Sequence, residues 1–221
     1  MQIGNLPDLK NGFDIPIVCN FRVQDVKFGG QGAPLVPIGD RLLFSEFDFC
    51  LNLGGFSNIS YEIAGVRIAY DISPVNTVLN FYANLLELEY DENGDIASKG
   101  NIHFDLLEIL NANDFYQKSF PKSLGIEFVF NEVLPIINGF NIKIQDILAT
   151  YVEHIAILIE NVLKNKIGKM LVTGGGAFNT FLIERIKKHN PNIQIIIPNA
   201  EIINYKEALI FAFLGILRLN N

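Results

Sequence analysis

Leu171-Val172-Thr173-Gly174-Gly175-Gly176-Ala177-Phe178-Asn179 joins a short apolar run to a helical pattern through three consecutive glycines. Lys169 to Thr173 reads as a strand, Ala177 to His189 as a helix, Ile193 to Ile197 as a second strand and Tyr205 to Leu219 as a closing helix. Strand, glycine turn, helix, strand and helix make a βαβα unit, which favours parallel pairing with a right-handed crossover. An α/β fold is therefore expected. Just upstream, Ile144, Ile147, Leu148, Tyr151, Val152, Ile155, Leu158, Ile159 and Val162 hold one helical stripe, followed by Lys164, Lys166 and Lys169, which suit a helix C-terminus.

Further back the period falls to two. Phe47 to Leu53, Asn58 to Ile63 and Val66 to Ile72 read as three strands of a meander, divided by Gly54-Gly55 and by a turn at Ala64-Gly65. From Val75 the helical period returns, with Val78, Leu79, Tyr82, Leu85 and Leu86 on one face and a stop expected before Asp91. Ile15 to Phe21 reads as a short buried strand leading into a glycine-rich segment, Gly29 to Pro37, and residues 91 to 140 are the least regular part.

The chain has 221 residues, 49% of them hydrophobic and 19% charged, with a mean hydropathy of +0.27 and a net charge of -7. That composition is globular and large enough for an ample core. With 17 basic against 24 acidic residues and no basic tract, nucleic acid is not an expected partner. The longest apolar run, Ala208 to Leu217, is too short for a bilayer span, and Met1-Gln2-Ile3-Gly4-Asn5 lacks the features of a signal peptide. Cys19 and Cys50 lie in apolar strand-like runs, as expected for buried free thiols in a reducing, cytoplasmic setting. Two Cys and the scattered His103, His154 and His189 do not make a zinc site.

Five features can carry chemistry. Gly174, Gly175 and Gly176 either let a ligand press on the backbone, facing phosphate or ribose oxygens with free amides, or make only a tight turn; the pattern is neither a P-loop nor a dinucleotide fingerprint. Gly54-Gly55, after Asn52 and before Ser57 and Asn58, again ends an apolar strand and taken alone reads as a hairpin turn. Asp71 closes an apolar strand ahead of Ser73, Pro74 and Asn76, where it serves either as a cap or turn residue or as a partly desolvated base. Arg22 is placed to hold an anion bidentately or to pair with Asp25 at the surface. Glu207, in Lys206-Glu207-Ala208, suits the start of a helix.

The order of these features resembles the anhydro-N-acetylmuramic acid kinase family. The resemblance rests on Arg22 with Gly29-Gly30-Gln31-Gly32-Ala33-Pro34-Leu35-Val36-Pro37, then Asn52 to Ser60, then Asp71 with Pro74 and Asn76. It continues through Pro121-Lys122-Ser123, Gly174 to Ala177 with Asn179, and Lys206-Glu207-Ala208, running from Met1 to Phe213. It implies an actin-like (ribonuclease H-like) sugar kinase fold with ATP and Mg2+ as cofactors. The implied reaction opens the anhydro ring of 1,6-anhydro-N-acetylmuramic acid with water and phosphorylates O6, in peptidoglycan recycling. Asp71 matches the family's catalytic base, Arg22 and Asn76 fall in the sugar site, Gly54 and Gly55 near the phosphates, and Gly174, Gly175, Gly176 and Asn179 at the nucleoside. No metal ligand is assigned, and a homodimer is a possible assembly.

The chain also departs from the family pattern. Met1 aligns with an internal family position, so the family's Gly-Thr-Ser-Asp phosphate loop and a His-Gly-Gln-Thr stretch are expected upstream of it. Asn20 replaces an Asp, and Ile72, Ser73 and Val75 replace a Thr-Gly-Pro-Gly pattern after the acid. The expected organisation is a truncated N-terminal lobe with the start of the second lobe over 1–75, then a complete C-terminal lobe over 76–221. The alternative to a kinase is a non-catalytic sugar- or nucleotide-binding relative, or a subunit completed by a separate N-terminal lobe.

Overall fold

The computed structural model describes residues 14–29, 32 and 35–220. Met1 to Gly4, and Gly30, Gln31, Ala33 and Pro34 of the glycine-rich stretch, lie outside them. Two short helices, α1 (Phe21–Lys27) and α2 (Pro37–Leu43), precede the three strands of the meander, β1 (Phe49–Leu53), β2 (Phe56–Ile63) and β3 (Val66–Pro74). Helices α3 (Asn76–Asn84), α4 (Phe104–Asn111), α5 (Asp114–Gln117), α6 (Ile126–Phe128) and α7 (Leu134–Asn138) fill the irregular middle, with a π-turn between the last two. The long α8 (Ile144–Leu163) leads into β4 (Gly168–Thr173), α9 (Thr180–His189), β5 (Ile193–Ile196) and α10 (Ala200–Leu219). No described helix is long and apolar enough to cross a membrane.

The strands form one sheet in the order β3-β2-β1-β4-β5. β1, β2 and β3 pair antiparallel, whereas β1–β4 and β4–β5 pair in parallel, as the βαβα pattern requires. The β2–β3 turn is a two-residue loop, Ala64 and Gly65, with both φ angles positive (49° and 79°), the geometry whose twist matches a hairpin.

Period-two alternation gives the sheet two unlike faces. Phe49, Leu51 and Leu53 of β1, Ile59 and Tyr61 of β2, Tyr70 and Ile72 of β3, and Met170 and Val172 of β4 point into the main core with α3, α8 and α9. Tyr151, Val152, Ile155 and Ile159 of α8 lie at its centre. The opposite face holds a small second core of Phe44, Cys50, Leu171 and Ile210, covered by α2 and α10. A Cβ on Gly39 would run into the Ile210 side chain, so glycine is what lets α2 approach α10 this closely.

Two expectations are corrected. Ile15 to Phe21 is not a strand: Pro16 offers no N–H to a ladder, Asn20 turns left-handed (φ 62°), and Phe21 already opens α1. Cys19 is accordingly only half-buried, whereas Cys50 is buried in β1. β1 and β4, on either side of residue 75, are hydrogen-bonded neighbours, as a second lobe that begins within 1–75 requires. The change of period at Val75 marks a strand passing into a helix within one unit. The five strands of the described residues thus belong to one sheet. Finally, α3 ends at Asn84, seven residues short of Asp91, and leaves Leu85 and Leu86 exposed.

Candidate functional site

Alternation also makes the cleft. On the α2/α10 face, the residues one step from the core positions are Asn52, Asn58, Ser60, Ala69, Asp71 and Thr173, and all of them line a cleft of about 500 Å³. Its walls are Val36, Pro37 and Asp40 at the start of α2, Asn204, Lys206 and Glu207 of α10, Pro121-Lys122-Ser123, and the Gly174-Gly175 turn. A polar sheet face opening at strand ends between helices is a usual place for a small-molecule site.

A buried ion pair joins two walls. Lys206 Nζ of α10 lies 2.7 Å from Asp40 Oδ1 of α2, out of line for a directed hydrogen bond. Ser60 Oγ donates to Asp40 Oδ2 at 2.5 Å, and Arg67 Nη2 donates to Ser60 Oγ at 3.0 Å. Cys50 sits beside this network, where burial first and the Asp40 charge second push its thiol up to about 11. A thiol so protonated is a packing group, not a nucleophile.

Asp71 is half-buried at the side of the cleft. A β-bulge leaves Ile72 as the extra residue: Asn58 pairs with Asp71, but Ser57 pairs with Ser73. Ser57 Oγ spans the irregularity, accepting from Ser73 N–H at 3.1 Å. Asp71 Oδ2 accepts the Leu124 N–H at 2.8 Å, and the Asp71 N–H donates to Lys122 O at 3.1 Å. Oδ1 has no hydrogen-bond partner among the described residues. Burial raises the carboxyl above its ordinary value, partly opposed by the Leu124 bond, so the group is poised toward proton uptake.

The two glycine turns meet at the start of α3. Gly55 O accepts from Val75 N–H (2.8 Å), Thr77 N–H (3.2 Å) and Thr77 Oγ1 (2.8 Å), and Gly54 O accepts from Asn76 N–H (3.2 Å). The first amides of α3 are thus occupied by the protein's own carbonyls. Asn76 Nδ2 donates to Leu53 O at 3.0 Å and stands against the Gly175-Gly176 backbone. Gly174 has φ 82°, and a Cβ there would lie 2.5 Å from Asn52 Oδ1 and 2.7 Å from the Leu53 carbonyl carbon, so no other residue fits. A second cleft of about 460 Å³, lined by Asn76, Asn80, Tyr90, Asn93, Gly175, Phe178 and Asn179 among others, meets the first at Gly175.

The residues singled out from sequence separate accordingly. Arg22, Gly54, Asp71, Gly174 and Gly175 line the main cleft, and Asn76, Gly175 and Asn179 line the second. Gly55 and Gly176 line neither; Gly55 is exposed at its turn, and Gly176 is buried against Leu53. Asn179 caps α9, its Oδ1 accepting from Leu182 N–H at 2.9 Å. Arg22 does not take up the surface pair with Asp25; both clasp Gly32, Arg22 Nη1 donating to its carbonyl and Asp25 Oδ2 accepting its N–H, each at 2.8 Å. Sequence reasoning noted Asn52 and Asn58 beside the glycine pair without assigning them to the site, and did not single out Asp40, Ser60 or Thr173. The signal for Ser60 and Thr173 was present, since both are polar steps in otherwise apolar strands.

A sheet ordered 3-2-1-4-5, with one apolar face and one polar face that lines a cleft bordered by glycine turns, defines a ribonuclease H-like α/β protein. The chain belongs to the anhydro-N-acetylmuramic acid kinase family, whose model matches residues 1–221. It is similar to the anhydro-N-acetylmuramic acid kinase of Sulfurovum sp. at 36% identity, over 100% of this chain and 63% of that protein. It is similar to that of Aliivibrio fischeri at 35% identity, over 97% of this chain and 62% of that protein. The chain therefore spans a little under two thirds of the length of the curated relatives it matches. Among solved structures, component A of the Acidaminococcus fermentans (R)-2-hydroxyglutaryl-CoA dehydratase is similar over 77% of this chain and 61% of that one, at 15% identity and a TM-score of 0.48.

Proposed function

We propose that the protein is a sugar kinase acting on 1,6-anhydro-N-acetylmuramic acid, with ATP as phosphoryl donor, in the cytoplasmic recycling of cell-wall sugar. The observation that carries this is Asp71: an incompletely satisfied carboxylate with raised proton affinity, lining the same polar cleft as Gly54, Gly174 and Gly175. In this reading the sugar occupies the main cleft between Asp71 and Arg22. The nucleoside lies in the second cleft, against Gly175 and Asn179, and its phosphates pass Gly174 and Gly54 toward the sugar. Gly55 and Gly176 support the turns, and Asn76 holds them together through Leu53.

Asp71 Oδ1 takes a proton from a water that attacks the anomeric carbon. As the C1–O bond forms, the C1–O6 bond breaks, and O6 carries its electron pair to the γ-phosphorus. The bond from that phosphorus to the β,γ-bridging oxygen breaks, giving ADP and N-acetylmuramic acid 6-phosphate, and Asp71 returns its proton to solvent. The protein's part is positioning and one proton transfer, which suits a reaction in which phosphoryl transfer itself needs little covalent help. ATP supplies the phosphoryl group. Mg2+ is the usual companion of such phosphates, but among the described residues no three His, Cys, Asp or Glu side chains converge, so no protein site is assigned to it and no step is routed through it.

The test is the purified chain with ATP and 1,6-anhydro-N-acetylmuramic acid, followed by ADP release and mass spectrometry of the sugar. Formation of N-acetylmuramic acid 6-phosphate is expected. Binding of both ligands by calorimetry without turnover would replace the kinase reading with that of a binding module. Absence of binding to either would end both readings.

A further inference from the structure

β3 is an edge strand of the described sheet, so its outward amides and carbonyls need partners from elsewhere. At Asp71 a strap from Phe120 to Leu124 supplies them. Lys122 O accepts the Asp71 N–H at 3.1 Å, and the Leu124 N–H donates to Asp71 Oδ2 at 2.8 Å. One residue is thereby held at two points, by its backbone and by its carboxylate. The second bond anchors Oδ2, while Asp71 lines the cleft with its Oδ1 unpaired among the described residues.

The strap is itself tied down by Lys122. Nζ donates to Phe115 O at 3.3 Å and Tyr116 O at 3.4 Å in α5, and lies 4.8 Å from the centre of the Phe115 ring and 6.0 Å from that of Tyr70. Among the described residues no carboxylate pairs with it, and burial first, then Lys118, lowers its proton affinity. A half-buried ammonium with neither an acid partner nor a free head is a costly way to fill space. Its geometry serves one purpose: it ties the strap, two residues before Leu124, to α5 and to the ring of the residue preceding Asp71.

We infer that Lys122 is a positioning residue for Asp71, holding the strap whose Leu124 amide aims the Asp71 carboxylate into the cleft. The inference rests on the reading of Asp71 as the base, and its first test does not depend on that reading. Lys122→Met removes the donors and the charge at similar side-chain volume, while Lys122→Arg keeps both. Amide hydrogen exchange should accelerate about tenfold or more at Asp71 and Leu124 in Lys122→Met, with Ile59 in the neighbouring strand unchanged as a control for folding. In the turnover assay kcat should fall about tenfold with KM for sugar and ATP within about twofold, and Lys122→Arg should restore exchange and kcat together.

Unaltered exchange at Asp71 and Leu124 in Lys122→Met overturns the inference, since the Phe120 ring stacked on Tyr70 at 5.6 Å would then suffice to hold the strap. Faster exchange with wild-type kcat also overturns it, because the strap would then move without affecting the base. A wild-type chain that binds both ligands but does not turn over refutes the kinase reading and leaves the exchange result to decide whether Lys122 holds the strap.

Discussion

Lys206→Met keeps an unbranched side chain of similar length and removes the charge facing Asp40. Asp40 and Lys206 are 4% and 6% exposed, so the remaining carboxylate cannot turn to solvent without moving α2. Removing one partner of such a buried pair costs about 3–5 kcal/mol. The lower end applies here, because Ser60 Oγ still donates to Asp40 Oδ2. A loss of about 3 kcal/mol in a chain of this size corresponds to a fall in Tm of about 6–12 °C. The double variant Asp40→Leu/Lys206→Met buries no charge and should lose only about 1 kcal/mol, giving a coupling of at least about 2 kcal/mol between the sites. With no tryptophan in the chain, urea unfolding followed by far-UV circular dichroism is the suitable assay. A single-variant loss below about 1 kcal/mol, or a double variant as unstable as the sum of its singles, would refute the claim that this pair holds α2 to α10.

Asp71→Asn should abolish turnover while leaving ATP affinity within about threefold in calorimetry, since a base acts in the transition state more than in nucleotide binding; near-normal turnover would remove Asp71 from its role. Gly175→Val should weaken nucleotide binding at least about tenfold without a large loss of stability, because its Cβ would enter the junction of the two clefts with only Asn76 Nδ2 nearby, at 3.5 Å; unchanged affinity would make the loop a turn only. Gly174→Ala should instead destabilise by about 2 kcal/mol or more, its positive φ and its approach to Leu53 being intolerant of any side chain, as thermal unfolding would report. Burial holds His154 neutral, lowering it from 6.5 to about 3. The unfolded chain therefore binds the extra proton between those values, and stability should fall as pH drops through that window, by up to about 1.4 kcal/mol per pH unit. In His154→Gln the slope should flatten across pH 4–6; an unchanged slope would assign acid sensitivity elsewhere.

The strands, their order of appearance and α8 were legible because alternation and helical period are local properties of the chain. The strand misread at Ile15 to Phe21 shows the limit of that signal: an apolar run needs a ladder partner, and Pro16 with the left-handed Asn20 removes one. In the site, Gly174 and Asp71 stood out because a special φ and an acid ending an apolar strand are visible in a few residues. Asp40 did not, since its meaning depends on Lys206 arriving from the far end of the chain. Nor did Leu124, whose contribution is a backbone amide and leaves no mark in residue type. Asn179 shows the converse, a residue marked for a ligand whose described bond is the cap of its own helix.

The two-faced sheet also constrains how this chain can vary. In β2, Asn58 and Ser60 open onto the cleft while Ile59 and Tyr61 lie in the core, so adding or removing one residue within the strand would exchange the two sets. Such a change would bury two polar groups and put an isoleucine and a tyrosine where the sugar is proposed to sit. Substitutions can be graded in effect, but a single-codon insertion or deletion here acts as a parity switch. Length variation should therefore be tolerated at Ala64-Gly65, where the hairpin turns in solvent, and rejected within the eight residues of β2 that precede it.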